Sequence, residues 1–294
     1  MAVDTSKFKS LYPFQSHYLD LDGVRYHYLD EGPPDAPPVV MLHGNPTWSF
    51  YYRNLITPLS QTHRVIVPDH VGCGLSDKPQ EYPYTLAQHI ANVERLVQHL
   101  NLPPFALVVH DWGGVIGSGY ATRHPEMVTR LVIFNTAAFV LKKLPKRILM
   151  CRSDFFGGLL VRGLNGFAGL ATWRGIGVAR PLPSPVRAGL LAPYNNWHNR
   201  VAIHRFVQDI PWEEEHPTRP LLVEIDANLT RLQHHPMLII WGAQDVVFTE
   251  ADFFAEWQRR FPHAETHVFK DAGHYVIEDA HERIVPLVSS FLSS

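Results

Sequence analysis

Short runs of consecutive apolar residues alternate along the chain with longer amphipathic segments. Runs this short, flanked by turn-forming residues, predict strands that are buried on both faces. The segment 86–100 places its apolar residues on one helical face, Thr85 is positioned to cap it, and a last helix is expected from about Asp279. Alternating strands and helices predict an α/β fold with a mostly parallel sheet covered by helices on both faces. The predicted buried strands are 38–42, 63–69, 105–109, 130–134, 236–242 and 266–269.

Two regions depart from this alternation. Residues 14–31 contain two alternating stretches joined at Asp22-Gly23, which is the pattern of an antiparallel hairpin. Residues 140–225 are rich in Gly, Pro, Arg and aromatic side chains and contain no buried-strand pattern. We therefore predict an α/β core in two parts, 1–139 and 226–294, interrupted by a helical cap inserted over 140–225 between core strands.

The most informative stretch runs from Phe105 to Gly114. A buried strand ends there, Asp111 follows it, and Trp112 and two glycines lead into a helical segment. A strand that turns sharply through glycines into a helix is the layout of a nucleophile elbow, which strains the central residue and exposes its side chain. Asp111 occupies the position that serine has in most such elbows. Val109 stands where many hydrolases have glycine, which predicts a less regular turn.

Aspartate at this position carries different chemistry from serine. A serine hydroxyl needs a base to become nucleophilic, whereas an aspartate is ionised at neutral pH and attacks carbon directly. The product is an ester of the enzyme, and a histidine then acts by activating water or by assisting collapse of that intermediate. The alternative interpretation of Asp111 is a simple N-cap on the following helix, because aspartate favours that position too.

Two further chemically active residues follow predicted strands. Asp245 comes after 236–242, and His274 comes after 266–269. Ligands gather at the carboxyl ends of strands in open parallel sheets, so both residues are expected to converge with Asp111. Their order along the chain, nucleophile, acid and histidine, is the order of α/β-hydrolases. Asp245 would hold the imidazole in one tautomer and stabilise its charged form. Taken singly, Asp245 also fits a turn, and His274 fits the surface.

Asn45 and Trp112 add two neutral donors beside the predicted nucleophile. The Trp112 ring has one N–H, and the Asn45 side chain has an amide NH₂. Neutral donors suit an anion that departs during attack, because they do not form an ion pair with the nucleophile as an arginine would. The backbone N–H groups of the same two residues are expected to form an oxyanion hole for an ester hydrolysis step. A packing role for Trp112 and a turn role for Asn45 are the alternatives.

The composition narrows the classes of function. A formal net charge of −2 and a pI near 6.8 give no general attraction to nucleic acid. Two cysteines among 294 residues exclude a disulfide framework and favour a reducing compartment. The sequence shows no signal peptide and no apolar run of about 18 residues that would span a membrane. Histidines such as His234-His235 lack the spacing of metal ligands, so we predict no metal and no cofactor. The lack of a signal peptide and of a membrane span predicts a cytoplasmic protein.

Two motifs carry a family resemblance over nearly the whole chain. The segments His43-Gly-Asn-Pro-Thr-Trp48 and His110-Asp-Trp-Gly-Gly114 resemble the haloalkane dehalogenase family of α/β-hydrolases. The resemblance implies an α/β-hydrolase fold in which Asp111 is the nucleophile. It also implies that Asn45 and Trp112 are the residues that hold the departing halide.

The position of the acid narrows the resemblance. In one subfamily the catalytic acid follows the strand that corresponds to 236–242, where this chain has Asp245. The alternative position for the acid comes after the preceding core strand, where this chain has the Asn135 region. Within the family, the chain is most similar to the β-lactone decarboxylases of bacterial long-chain olefin synthesis. The segments that carry this likeness are 110–117, 135–139, 194–197, 205–211 and 271–279.

This likeness implies ring opening of a 3,4-dialkyl β-lactone and loss of CO₂ to give a cis-alkene, with the departing carboxylate held by Asn45 and Trp112. The alternative is haloalkane dehalogenation, in which water activated by His274 cleaves the alkyl ester on Asp111. Epoxide hydrolases use two cap tyrosines, whereas the predicted cap holds only Tyr194. Fluoroacetate dehalogenases place arginine where this chain has Trp112. A non-catalytic binding module is disfavoured because the catalytic set is complete.

The predicted cap also raises the question of a partner. Residues 141–187 contain nine Lys or Arg residues and one acid, Asp154. The ordinary interpretation is a solvated helix face. The alternative hypothesis is that this basic, aromatic-rich surface contacts a lipid surface or an acidic partner enzyme that delivers a small hydrophobic substrate. On that hypothesis, charge reversal at Lys142, Lys143 and Lys146 weakens the association.

Overall fold

The computed structural model describes residues 3–140 and 146–294, and the side chains of residues 146 and 147 are outside the description. Lys142, Lys143 and the side chain of Lys146, which the partner hypothesis invokes, therefore lie outside the described residues. No helix in the described ranges is both long enough and apolar enough to cross a bilayer.

Eight strands form one sheet. They are β1 (Ser16–Leu21), β2 (Val24–Glu31), β3 (Pro38–Leu42), β4 (Arg64–Pro68), β5 (Phe105–Val109), β6 (Val128–Phe134), β7 (Met237–Gly242) and β8 (Glu265–Phe269). Their order across the sheet is β1-β2-β4-β3-β5-β6-β7-β8. The pairings of β2 with β1 and β4 are antiparallel, and those from β4 through β3 to β8 are parallel. The mostly parallel sheet predicted from the sequence is confirmed.

Helices and single helical turns fill the connections. The α-helices are α1 (Arg53–Leu59), α2 (Leu86–His99), α3 (Trp112–Arg123), α4 (Lys146–Arg152), α5 (Asp154–Gly157), α6 (Gly166–Ala171), α7 (Ser184–Leu191), α8 (Val201–Gln208), α9 (Arg219–Asn228), α10 (Ala255–Arg260) and α11 (Val276–Ser293). Two π-helical turns occur at Gly158–Gly163 and Glu250–Phe254. The 3₁₀ turns are Ser6–Leu11, Ser49–Tyr52, Pro125–Met127, Ala192–Tyr194, His198–Arg200 and Leu229–Leu232.

The central strand β3 shows why the sequence produces this layering. All five of its residues are buried, because helices cover both faces of the sheet. Val40 and Leu42 pack into an apolar cluster with α2 and α3, whereas Val39 and Met41 pack into a second cluster with α1 and α11. Since successive side chains of a strand point to opposite faces, a continuous apolar run is what a two-sided core requires.

The predicted hairpin and helix cap are both present. Asp22 and Gly23 join β1 to β2 with positive φ angles of 55° and 89°, as a two-residue hairpin turn requires. The Thr85 hydroxyl accepts a hydrogen bond from the backbone N–H of Gln88 at 3.3 Å, and α2 begins at the next residue.

The last helix begins three residues earlier than predicted. Helix α11 starts at Val276, and Asp279 lies inside its first turn. The Asp279 carboxylate accepts the backbone N–H groups of Gly273 and Ala179, each at 2.8 Å. The prediction of a start near Asp279 was wrong because this carboxylate fixes the loop after β8 against the segment before α7 instead of capping the helix.

The chain turns from β5 into α3 through a strained residue. Asp111 adopts φ 51° and ψ −126°, so it does not have the helical conformation of a first helical residue. A Cβ at Gly113 would collide with the Leu42 carbonyl, so only glycine permits this close approach of α3 to β3. The Val109 side chain fits against α3 because Gly117 has no Cβ at the point where the two meet. Asp111 therefore keeps its strained conformation although valine replaces the usual glycine.

Helices α4 to α9 lie between β6 and β7 along the chain. Within the described residues, this segment contains no strand and only an isolated bridge between Arg174 and Val178. Its side chains and backbone reach the carboxyl edge of the sheet; for example, the Tyr194 hydroxyl donates to the Thr47 carbonyl at 2.9 Å. The boundaries of the cap at 140 and 225 stay predictions.

Candidate active site

The three predicted catalytic residues meet at the carboxyl ends of β5, β7 and β8. The Nε2 atom of His274 lies 3.6 Å from Oδ2 of Asp111, and its Nδ1 atom lies 2.8 Å from Oδ2 of Asp245. All three side chains are buried. The imidazole therefore stands between the two carboxylates, with one nitrogen bound to Asp245 and the other facing Asp111.

The Asp111 carboxylate is held by backbone N–H groups. The N–H of Asn45 donates to Oδ1 at 2.6 Å, and the N–H of Trp112 also donates to the carboxylate. Gly44 has no Cβ, and one there would collide with this carboxylate. The two backbone donors predicted to form an oxyanion hole for the substrate therefore bind the nucleophile itself. This leaves Oδ2 as the oxygen next to His274.

Burial and the charges in the site shift the pKa values of Asp111 and His274. Burial raises the pKa of the Asp111 carboxyl above its ordinary value, although His274 and the two backbone N–H groups oppose that shift. Burial by itself would lower the pKa of His274, but attraction to Asp245 and Asp111 outweighs burial and raises it. The shift of the His274 pKa favours its protonated form, whereas the shift of the Asp111 pKa disfavours its ionised form.

Asp245 is fixed by groups that the sequence-based prediction did not include. Its Oδ1 accepts the backbone N–H groups of Val247 at 2.6 Å and Phe248 at 3.0 Å. Its Oδ2 accepts the side-chain amide of Asn135 at 2.9 Å, and Asn135 also bonds the backbone of Gly242 through both its oxygen and its nitrogen. The signal available in the sequence was that Asn135 stands in the alternative acid position, whereas the adjacency of β6 and β7 is known only from the structure.

We expect Asn135→Ala to lower the rate of any step that uses His274, because Asp245 loses a charge-assisted hydrogen bond and the backbone of Gly242 loses its partners. The buried groups left unpaired should lower the free energy of unfolding by about 1–3 kcal/mol. Urea unfolding and steady-state kinetics check both effects, with the exposed Asn195→Ala as the matched control. Unchanged stability and an unchanged rate would show that Asn135 does not position Asp245.

An apolar cavity opens onto Asp111. The space that it encloses, including the part open to solvent, is about 820 Å³. Within the described residues, the lining residues with polar side-chain groups are Asp111, Asn45 and Trp112. The apolar lining residues are Leu86, Val115, Ala137, Phe139, Ile148, Phe167, Val207, Ile210, Pro211, Leu222, Val247, Phe248 and Phe253. This lining fits a substrate that is hydrocarbon apart from its reacting group.

Asn45 and Trp112 lie on the cavity wall beside the nucleophile. One N–H of the Asn45 amide donates to the Ile203 carbonyl at 3.1 Å, which fixes the orientation of the amide and leaves its second N–H for a ligand. The Trp112 ring packs against Phe206, with ring centroids 5.1 Å apart. The structure therefore brings both predicted neutral donors to the site.

Other conspicuous polar residues near the site have structural roles. His110 shares a 2.9 Å hydrogen bond with the His274 carbonyl, and burial holds the pKa of His110 well below its ordinary value. Both cysteines are buried free thiols, and burial raises the pKa of Cys73 to about 12. No group of three or more potential metal-ligating side chains occurs in the ranges 3–140 and 146–294.

Comparison with known proteins agrees with this geometry. The family model of the α/β hydrolase fold matches residues 37–169. A cis-3-alkyl-4-alkyloxetan-2-one decarboxylase from Shewanella oneidensis is 46% identical, over 97% of this chain and 90% of its own. A haloalkane dehalogenase from Mycolicibacterium paratuberculosis is 35% identical, over 93% of this chain and 92% of its own.

The fold is shared with solved dehalogenase structures. A haloalkane dehalogenase from Bradyrhizobium elkani superposes with a TM-score of 0.85 at 24% identity, covering 95% of this chain and 98% of its own. An identity this low supports the fold alone. The identities of 46% and 35% over nearly complete chains show that the protein is a member of the α/β-hydrolase family that includes the haloalkane dehalogenases and the alkyloxetanone decarboxylases.

Proposed function

We propose that this protein is a cytoplasmic β-lactone decarboxylase that converts cis-3,4-dialkyl β-lactones into cis-alkenes and CO₂, as a step of long-chain olefin synthesis. The observation that carries the proposal is the apolar cavity that ends at Asp111, Asn45 and Trp112. Apolar walls suit two alkyl arms, and the three polar groups match the one polar feature of such a substrate, its four-membered lactone ring. The 46% identical relative bears the name of this activity.

The first step is attack of Oδ2 of Asp111 on C4, the ring carbon that carries oxygen. The new bond joins Oδ2 to C4, and the C4–O bond breaks with its electron pair leaving on a carboxylate. Attack on the carbonyl carbon instead would need a donor pair for the new oxyanion, and the backbone N–H groups of Asn45 and Trp112 already bind Asp111. The departing carboxylate is instead stabilised by their side-chain N–H groups.

The second step releases CO₂ and restores the nucleophile. Backside attack leaves the C4–Oδ2 bond antiperiplanar to the bond between C3 and the carboxylate. The C3–carboxylate bond breaks, its electrons form the double bond, and the C4–Oδ2 electrons return to Asp111. Inversion at C4 followed by anti elimination keeps the two alkyl groups on one side, so a cis-lactone gives a cis-alkene. No water or proton is consumed in either step.

A synthetic cis-dialkyl β-lactone with ¹⁸O at the ring oxygen tests the proposal directly. We expect cis-alkene by gas chromatography, with the label recovered in CO₂, because the C4–O bond is the one broken. A β-hydroxy acid that retains the label at C4 would indicate attack at the carbonyl carbon and hydrolysis. Absence of alkene would contradict the proposed function.

Haloalkane hydrolysis is a second candidate function, favoured by the complete His274–Asp245 pair. An alkyl ester on Asp111 that carries no carboxylate cannot eliminate CO₂, so it must be cleaved by water. The Nε2 atom of His274 lies 3.6 Å from Oδ2, where it can take a proton from such a water. The rate of halide release from a medium-chain bromoalkane is compared with the rate of alkene formation from the lactone. The faster reaction identifies the better substrate class.

The two reactions are expected to differ in pH dependence. Hydrolysis needs a neutral His274, whose pKa is raised above its ordinary value of 6.5 by Asp245 and Asp111 against the effect of burial. Halide-releasing turnover should therefore rise with pH, with a midpoint below the pKa of His274 in the free enzyme, because Asp111 is an uncharged ester when water attacks. Alkene formation needs only an ionised Asp111, so its rate should persist at lower pH and fall as that carboxyl becomes protonated. Rates measured in one buffer series check this, and coincident acid limbs would contradict it.

A further inference from the structure

Large exposed apolar side chains are concentrated in one part of the chain, within the segment between β6 and β7. Phe155 is 73% exposed, Phe156 is 68% exposed and Trp173 is 57% exposed. Of the eleven large apolar side chains that are exposed in the described ranges, nine lie between residues 150 and 197. We call these nine the outer cap surface. Its members are Met150, Phe155, Phe156, Leu159, Leu164, Leu170, Trp173, Ile176 and Trp197.

Two pairs of these side chains are close together, and one of the pairs joins different helical turns. The Phe155 and Phe156 rings contact each other edge to face, with centroids 5.3 Å apart. Leu159 and Trp197 both approach Gly163, where an added Cβ would lie 3.2 Å from one and 3.6 Å from the other. Apolar patches of this kind on a folded protein mark interaction surfaces.

The helices that carry the outer cap surface also form part of the cavity wall. Ile148 and Phe167 line the cavity, while Met150 on the same helix as Ile148 and Leu170 on the same helix as Phe167 face solvent. A helix that only covers a pocket needs one apolar face and a polar one. Helix α6 carries apolar side chains on both sides, and α4 adds the exposed Met150, so apolar side chains of both helices face solvent.

The charge around the outer cap surface is positive and largely uncompensated. Arg162, Arg174 and Arg187 have no carboxylate partner among the described residues. The Arg162 guanidinium stacks over the Trp197 ring at 4.6 Å, which places a cation and an amphipathic ring together. Two acids lie in this region: Asp154 accepts a hydrogen bond from Gln208, and Glu213 pairs with Arg152. A surface of exposed aromatic rings and arginines is complementary to a membrane interface, where anionic headgroups border the apolar acyl chains.

We propose that the outer cap surface binds the interface of an anionic phospholipid membrane, with its aromatic and aliphatic side chains entering the acyl boundary and its arginines contacting the headgroup phosphates. Since α4 and α6 each carry one cavity-lining residue and one exposed apolar residue, a dialkyl substrate dissolved in the bilayer would enter the cavity between these helices. The binding rests on the surface alone, whereas the delivery of substrate rests on the proposed function.

Vesicle flotation with the full chain and no substrate tests the binding. We expect the protein to float with vesicles that contain phosphatidylglycerol and much less with pure phosphatidylcholine. The double variant Phe155→Ser with Phe156→Ser should reduce the bound fraction about tenfold or more, because two aromatic side chains lose their burial. Arg162→Gln and Arg174→Gln should each reduce it about fivefold, and raised salt should act similarly.

The matched control is Tyr18→Ser with Val223→Ser, since these two side chains are 44% and 47% exposed but lie outside the outer cap surface. This control should float like the unaltered protein. Equal loss in the control and cap variants, or no flotation of the unaltered protein, would overturn the proposal. So would a dimer in size-exclusion chromatography that the Phe155 and Phe156 substitutions convert to a monomer, because a second copy would then cover the surface.

Activity measurements separate this proposal from the proposed function. The Phe155 and Phe156 double variant should retain the rate on a short-chain, water-soluble β-lactone, because neither residue lines the cavity. It should lose rate on a long-chain lactone presented in anionic vesicles. Flotation without lactone turnover would support the membrane contact while contradicting the enzyme assignment, and turnover without flotation would do the reverse.

Discussion

Asp111→Asn is expected to reduce alkene formation from a cis-dialkyl β-lactone by about 10⁴-fold or more. Asparagine preserves the size of the side chain, and its oxygen can still accept the N–H of Asn45. It has no anionic oxygen at the position of Oδ2, so the bond to C4 does not form. Gas-chromatographic yield of alkene against time measures the effect, and intact-protein mass verifies that the substituted residue has not reverted to aspartate.

A matched control exists in the same chain. Asp22 also has a positive φ, of 55°, but its side chain is exposed in the β1–β2 turn and pairs with Arg95. Asp22→Asn should therefore leave the rate unchanged within about twofold, since exposed ion pairs contribute little to stability. Retention of more than a tenth of the activity by Asp111→Asn would eliminate covalent catalysis by this residue.

His274→Ala is expected to separate the two candidate reactions. Hydrolysis of an alkyl ester on Asp111 needs a general base, so its rate should fall by about 10³-fold. With a bromoalkane, the variant should release one equivalent of halide per enzyme and then stop, with the alkyl group left on Asp111. Alkene formation consumes no water, so the same variant should continue to turn over the lactone at a rate reduced far less.

Intact-protein mass spectrometry of the stalled enzyme gives the decisive measurement. The bromoalkane should add the mass of one alkyl group, and peptide mapping should place it on Asp111. The exposed His263→Ala serves as the control and should turn over both substrates normally. Equal loss of both reactions in His274→Ala would mean that the lactone reaction also depends on the histidine, and the mechanism without water would be wrong.

The strands were predictable because their pattern is local. A run such as 105–109 is apolar at every position, and only burial on both faces accommodates it, so the sequence alone determines that it is a central strand. The elbow was predictable for a similar reason, since Asp111 and the glycines after it are consecutive in the chain. The family motifs then predicted Asn45 and Trp112 as donors, and the structure places both beside the nucleophile.

Other features were not predictable because they join residues that are far apart. The backbone N–H of Asn45 was expected to serve the substrate, but it binds Oδ1 of Asp111, 66 positions away. In the proposed reaction, that bond leaves Oδ2 as the attacking oxygen. Asp279 looked like the start of a helix, and only the approach of Gly273 and Ala179 shows that it accepts their N–H groups.

The sequence by itself determined the α/β core, the chemical identity of the candidate nucleophile and the order of the candidate catalytic residues, because each depends on residue type and local pattern. The tertiary structure alone decided how those residues face one another, how Asn135 supports Asp245, and where apolar side chains meet solvent. The physical reason is that periodicity records which face of an element is apolar, whereas hydrogen bonds, cavities and exposed patches depend on which other elements come to cover that face.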